Sequence, residues 1–110
     1  MNAEDLYQHL QKINEAKGYF FNKDKEKTIF LLEALLKNRE RYGYMCCPCR
    51  LAQEDAGADK DIICPCEYRE ADVQEFGSCY CGLYVSADWN DRKIPEVYVP
   101  ERRPEDKFTF

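Results

Sequence analysis

Seven cysteines lie between residues 46 and 81, and the rest of the 110-residue chain has none. Six of them form three Cys-x-Cys pairs, Cys47-Pro48-Cys49, Cys64-Pro65-Cys66 and Cys79-Tyr80-Cys81, and Cys46 stands beside the first. Thiols gathered this closely can ligate metal as thiolates, or carry electron pairs as dithiol and disulfide. Four thiolates satisfy either a tetrahedral zinc ion or an iron–sulfur cluster. The six paired cysteines exceed that need by two. A disulfide inside one Cys-Pro-Cys is strained, because alternate residues diverge and proline fixes the backbone. The economical arrangement takes four ligands from different pairs and lets the two remaining sulfurs meet as a disulfide or dithiol.

Zinc is redox-inert, so zinc beside such a dithiol would be structural. Zinc sites also tend to separate their cysteines by two to four residues, a spacing offered only by Cys46-Cys47-Pro48-Cys49. A [4Fe-4S] cluster accepts less regular spacing and can pass electrons to a dithiol. Cluster and dithiol together have a coherent use, the reduction of a partner's disulfide by thiol exchange. The alternative is a non-catalytic zinc- or cluster-binding module, structural or electron-transferring, with no turnover.

Composition narrows the class. A net charge of −5 argues against nucleic acid as the main partner, since phosphate contacts need a basic surface. Met1 to His9 has neither a basic start nor an apolar core, which is not the pattern of a signal peptide. The longest compact apolar run, Ile29 to Leu32, is far short of the ~20 residues needed to span a bilayer. The expected location is therefore cytoplasmic, without membrane association. In a reducing compartment clustered cysteines serve as ligands or redox thiols more often than as structural staples, and an odd number fits a fully paired framework poorly. The length suits one domain spanning 1–110, with the cysteine-bearing segment at 46–85 and an extended tail at 90–110.

The elements that must hold these pairs are mostly helical. Ala3, Leu6, Tyr7, Leu10, Ile13 and Ala16 recur at helical spacing and predict a helix over 3–17, with Asn2 as cap and Gly18 as stop. His9, on its polar side, reads as a solvated residue. Asn22 or Asp24 caps a second helix to about Tyr42, burying Ile29, Leu32, Leu35 and Leu36 and ending at Gly43. Lys37, Arg39 and Arg41 suit the negative end of that helix and also form a small basic patch. A short helix is predicted from Arg50 to about Gly57, and another from Glu67 to Phe76, stopped by Gly77. Leu83-Tyr84-Val85 reads as a short extended segment. Pro95, Pro100 and Pro104 exclude a long helix from the tail, where Val97-Tyr98-Val99 hints at an edge strand or an extended arm.

The run Met45-Cys46-Cys47-Pro48-Cys49-Arg50, then Cys64-Pro65-Cys66, then Cys79-Tyr80-Cys81-Gly82-Leu83-Tyr84-Val85, resembles the catalytic (beta) chain of ferredoxin–thioredoxin reductase. That family carries Cys-Pro-Cys, Cys-Pro-Cys and Cys-His-Cys in this order. The resemblance extends from Cys46 to Val85, and the preceding helices suit the family in length and placement. It implies a mainly α, small irregular multihelical domain folded around a [4Fe-4S] cluster, with little or no strand. It also implies that Cys47, Cys64, Cys66 and Cys79 ligate the cluster and that Cys49 and Cys81 form the redox disulfide. Cys49 would be the exposed sulfur that attacks the partner, and Cys81 the sulfur facing the cluster.

The implied electron donor is ferredoxin, with Lys37, Arg39 and Arg41, or Arg50, as the cations available to guide it. The implied disulfide substrate is thioredoxin or a similar small redox protein. A second, non-catalytic subunit accompanies this chain in photosynthetic members. Two features depart from the family. The gaps between the pairs differ from the plant-type pattern, the second being longer here. Tyr80 replaces the histidine that the family uses in proton handling, and a phenol near its usual pKa of ~10 donates a proton but accepts one poorly near neutrality. Cys46 is extra and reads as a non-ligand thiol.

Overall fold

A computed structural model describes residues 2–50 and 54–104. The elements run α1 (Ala3–Glu15), β1 (Phe20–Phe21), α2 (Lys25–Tyr42), a single 3₁₀ turn (Lys60–Ile62), α3 (Arg69–Phe76), β2 (Tyr84–Val85) and α4 (Ala87–Asn90). The domain is mainly helical, and its strand content is one two-stranded antiparallel pair, Phe20 opposite Val85 and Phe21 opposite Tyr84.

Local chemistry explains where the long helices begin and end. The Asn2 side chain accepts the Asp5 N–H at 2.9 Å, and the Asp24 carboxylate accepts the Lys27 N–H at 3.2 Å, each satisfying a donor that the first helical turn leaves unpaired. Asp24, and not Asn22, is thus the cap of α2. Asn22 instead donates to the carbonyl of Gly82 at 3.1 Å, tying the entry of α2 to the third cysteine pair. At the far end Gly43 takes φ +86° and its N–H reaches the Arg39 carbonyl at 2.8 Å, a left-handed stop that a side chain would strain.

Helix α2 is the spine of the core. Leu32 and Leu35 are fully buried, packed with Leu6 of α1, Phe21 of β1, and Leu83 and Tyr84 at β2. Its buried face runs through Thr28, Leu31, Leu32 and Leu35, while Ile29 and Leu36 are only half-buried. Thr28 is drawn inside because its hydroxyl donates to the Asn22 carbonyl at 2.7 Å. In α1 the expected Ile13 is 43 % exposed, and Asn14 is buried beside it. The Asn14 carbonyl accepts the N–H groups of Lys17 and Tyr19, so α1 ends at Glu15, two residues short of the predicted end at 17.

The short helix expected over 50–57 is not formed in its described part. Glu54 sits at φ +62° and the chain turns from residue 56, with Asp55 accepting the N–H of Gly57 at 3.0 Å; residues 51–53 lie outside the described residues. The helix expected from Glu67 starts at Arg69, after a turn at Glu67 and Tyr68. The sequence reading omitted α4, which Ser86 caps by accepting the Trp89 N–H at 3.1 Å.

From Ile94 to Pro104 the tail is irregular, and Val97-Tyr98-Val99 forms no strand. Ion pairs tie it down: Glu101 to Arg50, Arg102 to Asp72 and Glu75, and Arg103 to Asp61. Among the described residues no helix is long and apolar enough to cross a membrane.

Candidate functional site

Two short backbone ladders gather the cysteine pairs. The Cys47 N–H donates to the Ile62 carbonyl at 2.7 Å, and the Cys64 N–H to that of Met45 at 2.7 Å, with Cys46 facing Ile63 between them. This sets the first and second pairs side by side. For the third pair, the Cys79 N–H donates to the Tyr84 carbonyl at 2.9 Å, closing a tight turn through Gly82 at φ +79°. A side chain at Gly82 would be strained by that positive φ, so this position takes glycine.

The result is one small, largely apolar cavity, part of it open to solvent. Cys47, Cys64, Cys66, Cys79 and Cys81 line it, together with Arg50, Arg69, Tyr80 and Tyr84. All four cysteines expected as ligands are therefore brought together. Cys46 points elsewhere: at 1 % exposure it packs with Ile62, Tyr42 and Tyr44, and burial pushes its thiol up. Of the seven cysteines only Cys49 is exposed.

Cys81 joins the cavity to that exposed thiol. Its sulfur lies 3.8 Å from that of Cys79, and the thiols of Cys47, Cys49 and Cys79 all act on its proton. As the shared donor, Cys81 is held well above the usual thiol range. Cys49 is correspondingly brought down to about 7, chiefly by the hydrogen bond from Cys81, with the charges of Lys27 and Arg50 adding to it. Cys79 is lowered too, since its sulfur accepts from Cys81 and from the Tyr84 backbone N–H at 3.3 Å. Burial dominates at Cys64 and Cys66 and raises both. Buried thiols of that kind keep their protons until a metal displaces them.

Two arginines wall the cavity, each 8 % exposed and each between two tyrosine rings. The Arg50 guanidinium lies 4.5 Å from the Tyr80 centroid and 5.2 Å from that of Tyr68. Its Nη1 donates to the Cys66 sulfur at 3.4 Å, and its Nε to the Glu101 carboxylate at 2.9 and 3.0 Å. Arg69 lies 3.9 Å from the Tyr19 centroid and 4.8 Å from that of Tyr84, and donates to Asn14 at 2.6 Å. Arg50 is thus not a surface cation for guiding a partner. Lys37, Arg39 and Arg41 are exposed at the end of α2, and His9 is exposed on α1.

Tyr80 is half-buried with its ring against Arg50, and burial, followed by the nearby Glu101 carboxylate, raises its phenol so that the proton is held. No sequence spacing signals the tyrosine–arginine stacks or the contribution of Glu101, which is 51 residues from Arg50.

Among the described residues no three His, Cys, Asp or Glu side chains are gathered as a single metal ion would need them. What the cavity offers is a ring of cysteines between two buried guanidiniums. That donor set fits an anionic, thiolate-held iron–sulfur group, whose charge the arginines would offset.

Comparison with known proteins agrees in kind. The model of a family described as "Ferredoxin thioredoxin reductase catalytic beta chain" matches residues 2–101. The chain is similar to the "Ferredoxin-thioredoxin reductase, catalytic chain" of Porphyra purpurea, with 29% identity over 79% of this chain and 72% of that protein. The protein of the same name from Pyropia yezoensis is 29% identical over 79% of this chain and 73% of its own length. That of Guillardia theta is 32% identical over 63% of this chain and 66% of its own length.

Proposed function

The chain belongs to the ferredoxin–thioredoxin reductase catalytic-chain family, and from this we propose that it is an oxidoreductase that takes electrons from ferredoxin to reduce a disulfide of thioredoxin or a similar small redox protein. In this reading Cys47, Cys64, Cys66 and Cys79 hold a [4Fe-4S] cluster, and Cys49 and Cys81 are the redox pair. One observation carries it: the Cys81 sulfur lies 3.8 Å from that of Cys79 in the cavity lined by the four proposed ligands, and Cys49, the other member of the pair, is the exposed cysteine. The cluster, when bound, supplies the ability to relay ferredoxin's single electrons to the disulfide.

The chain's own residues carry the exchange. The Cys49 thiolate attacks one sulfur of the partner's disulfide, forming a mixed disulfide and releasing the partner's other sulfur as a thiolate. The Cys81 thiol loses its proton and attacks the Cys49 sulfur, closing a Cys49–Cys81 disulfide and releasing the second partner thiolate. The partner gains two electrons and, from Cys81 and solvent, two protons; the Cys49–Cys81 pair loses two electrons. Exposure of Cys49 makes it the sulfur a partner can reach, and the less exposed Cys81 is left to make the second attack, on Cys49. The name of the relatives, a catalytic chain, supports a companion chain as a further partner.

The reading is tested on protein purified without oxygen by measuring iron, acid-labile sulfide and zinc. Iron and sulfide in equal amounts, near four of each per chain, are expected. Zinc without iron would mean a structural module instead.

A further inference from the structure

We propose that Arg50 is a positioning charge, clamped onto the Cys66 sulfur by Tyr80, Tyr68 and Glu101, and that this contact raises the reduction potential of the iron–sulfur group. The proposal rests on the assignment of Cys66 as a ligand made above.

A guanidinium at 8 % exposure is costly unless its charge is paired, and here Glu101 pairs with it. Glu101 takes Nε through both carboxylate oxygens and lies 2.9 Å from Nη2, while Nη1 points to the Cys66 sulfur at 3.4 Å. Tyr80 and Tyr68 close over the planar group, and Arg50 has no slack to leave the sulfur. Tyr68 is itself fixed, because its hydroxyl donates to Asp61 at 2.6 Å and Asp61 is held by the buried Arg103 at 2.9 Å. The tail therefore holds the clamp from two sides, through Glu101 directly and through Arg103 by way of Asp61 and Tyr68.

Glu101 does not cancel the effect at the cavity. Arg50 lines the cavity and Glu101 does not, so the N–H and the positive charge lie nearer the sulfur than the carboxylate does. An N–H donated to a ligand sulfur, with a cation behind it, favours the electron-rich state of a cluster and raises its potential. Tyr80 contributes the face of its ring to this, and its hydroxyl has no part in it.

The test uses the iron-loaded protein, prepared without oxygen, with iron and sulfide measured before a redox titration at a single pH. Arg50→Gln is expected to shift the midpoint potential downward. Arg50→Lys should fall between that variant and wild type, since an ammonium keeps the charge without the planar fork. Tyr80→Phe should match the wild-type potential, whereas Tyr80→Leu should shift it downward by less than Arg50→Gln. A fully loaded Arg50→Gln protein at the wild-type potential overturns the proposal and leaves the ligand assignment standing. A wild-type protein without iron overturns the functional reading itself, and this inference with it. If Arg50→Gln does not load iron, Arg50→Lys decides: a downward shift supports the clamp, and a potential that is unchanged or raised removes it.

Discussion

The Cys81 sulfur lies 3.8 Å from the sulfur of Cys79, a proposed ligand, and lines the same cavity. Cys81 is half-buried, whereas Cys49, two residues from the proposed ligand Cys47, is exposed. That position beside a ligand sulfur makes Cys81 the natural second sulfur of an exchange pair with Cys49.

Removing Cys81 should therefore stop the exchange halfway. In Cys81→Ser, Cys49 still attacks a partner's disulfide but nothing resolves the product, so the mixed disulfide accumulates. Mass spectrometry of the protein mixed with oxidised thioredoxin should show a covalent one-to-one adduct through Cys49. Absence of an adduct in Cys81→Ser would count against Cys49 as the attacking sulfur.

Cys64, which is half-buried, and the buried Cys46 should separate cleanly. Cys64 lines the cavity, and Cys64→Ser should lose iron. Cys46 packs against Ile62, and Cys46→Ala should keep full iron content while losing about 1 kcal/mol for a small cavity, a few degrees in thermal midpoint. Iron loss in Cys46→Ala would reassign a ligand position.

Much of this site was legible in the sequence and part was not, for reasons that differ by residue. Asp24 and Gly43 announce α2 through local capping chemistry that needs no tertiary contact. The cysteine pairs carry their meaning in their spacing. Glu54, at φ +62°, shows why the helix expected over 50–57 is absent from its described part: helix-compatible composition does not exclude a left-handed residue. Ser86 was a readable cap for α4, but four helical residues give too little periodicity to draw attention. The contacts Arg50–Glu101 and Arg103–Asp61 join positions 51 and 42 residues apart, and no local pattern encodes them. Tyr80 shows the same limit, because its identity suggested proton chemistry whereas its position makes it a wall for Arg50.

Arg103 offers a test of how the tail is held. Its side chain is 1 % exposed, and it pairs with Asp61, 3 % exposed, at 2.9 Å. Arg103→Met leaves the Asp61 carboxylate buried without its cation and should cost about 3–5 kcal/mol. Burial pushes the Asp61 carboxyl up, but hydrogen bonds from Tyr68 and Arg103 outweigh it and hold the group below its usual value. A lowered folded-state pKa gives stability that is fully present above the unfolded value, about 3.9, and is lost as pH falls through the folded one. The stability difference between wild type and Arg103→Met, read by urea unfolding, should therefore be constant from pH 7 to about pH 5 and shrink below about pH 4. A difference that stays flat into the acid range would show that Asp61 is not what Arg103 stabilises.

The most direct test of the reductase reading is an anaerobic assay of thiol formation in oxidised thioredoxin supplied with reduced ferredoxin and the iron-loaded chain. The account predicts two new thiols per thioredoxin with the wild-type protein, and only the background of a protein-free control with an equally iron-loaded Cys49→Ser. An iron-loaded wild-type chain that forms no thiols, or a Cys49→Ser chain that forms them at the wild-type rate, would contradict it.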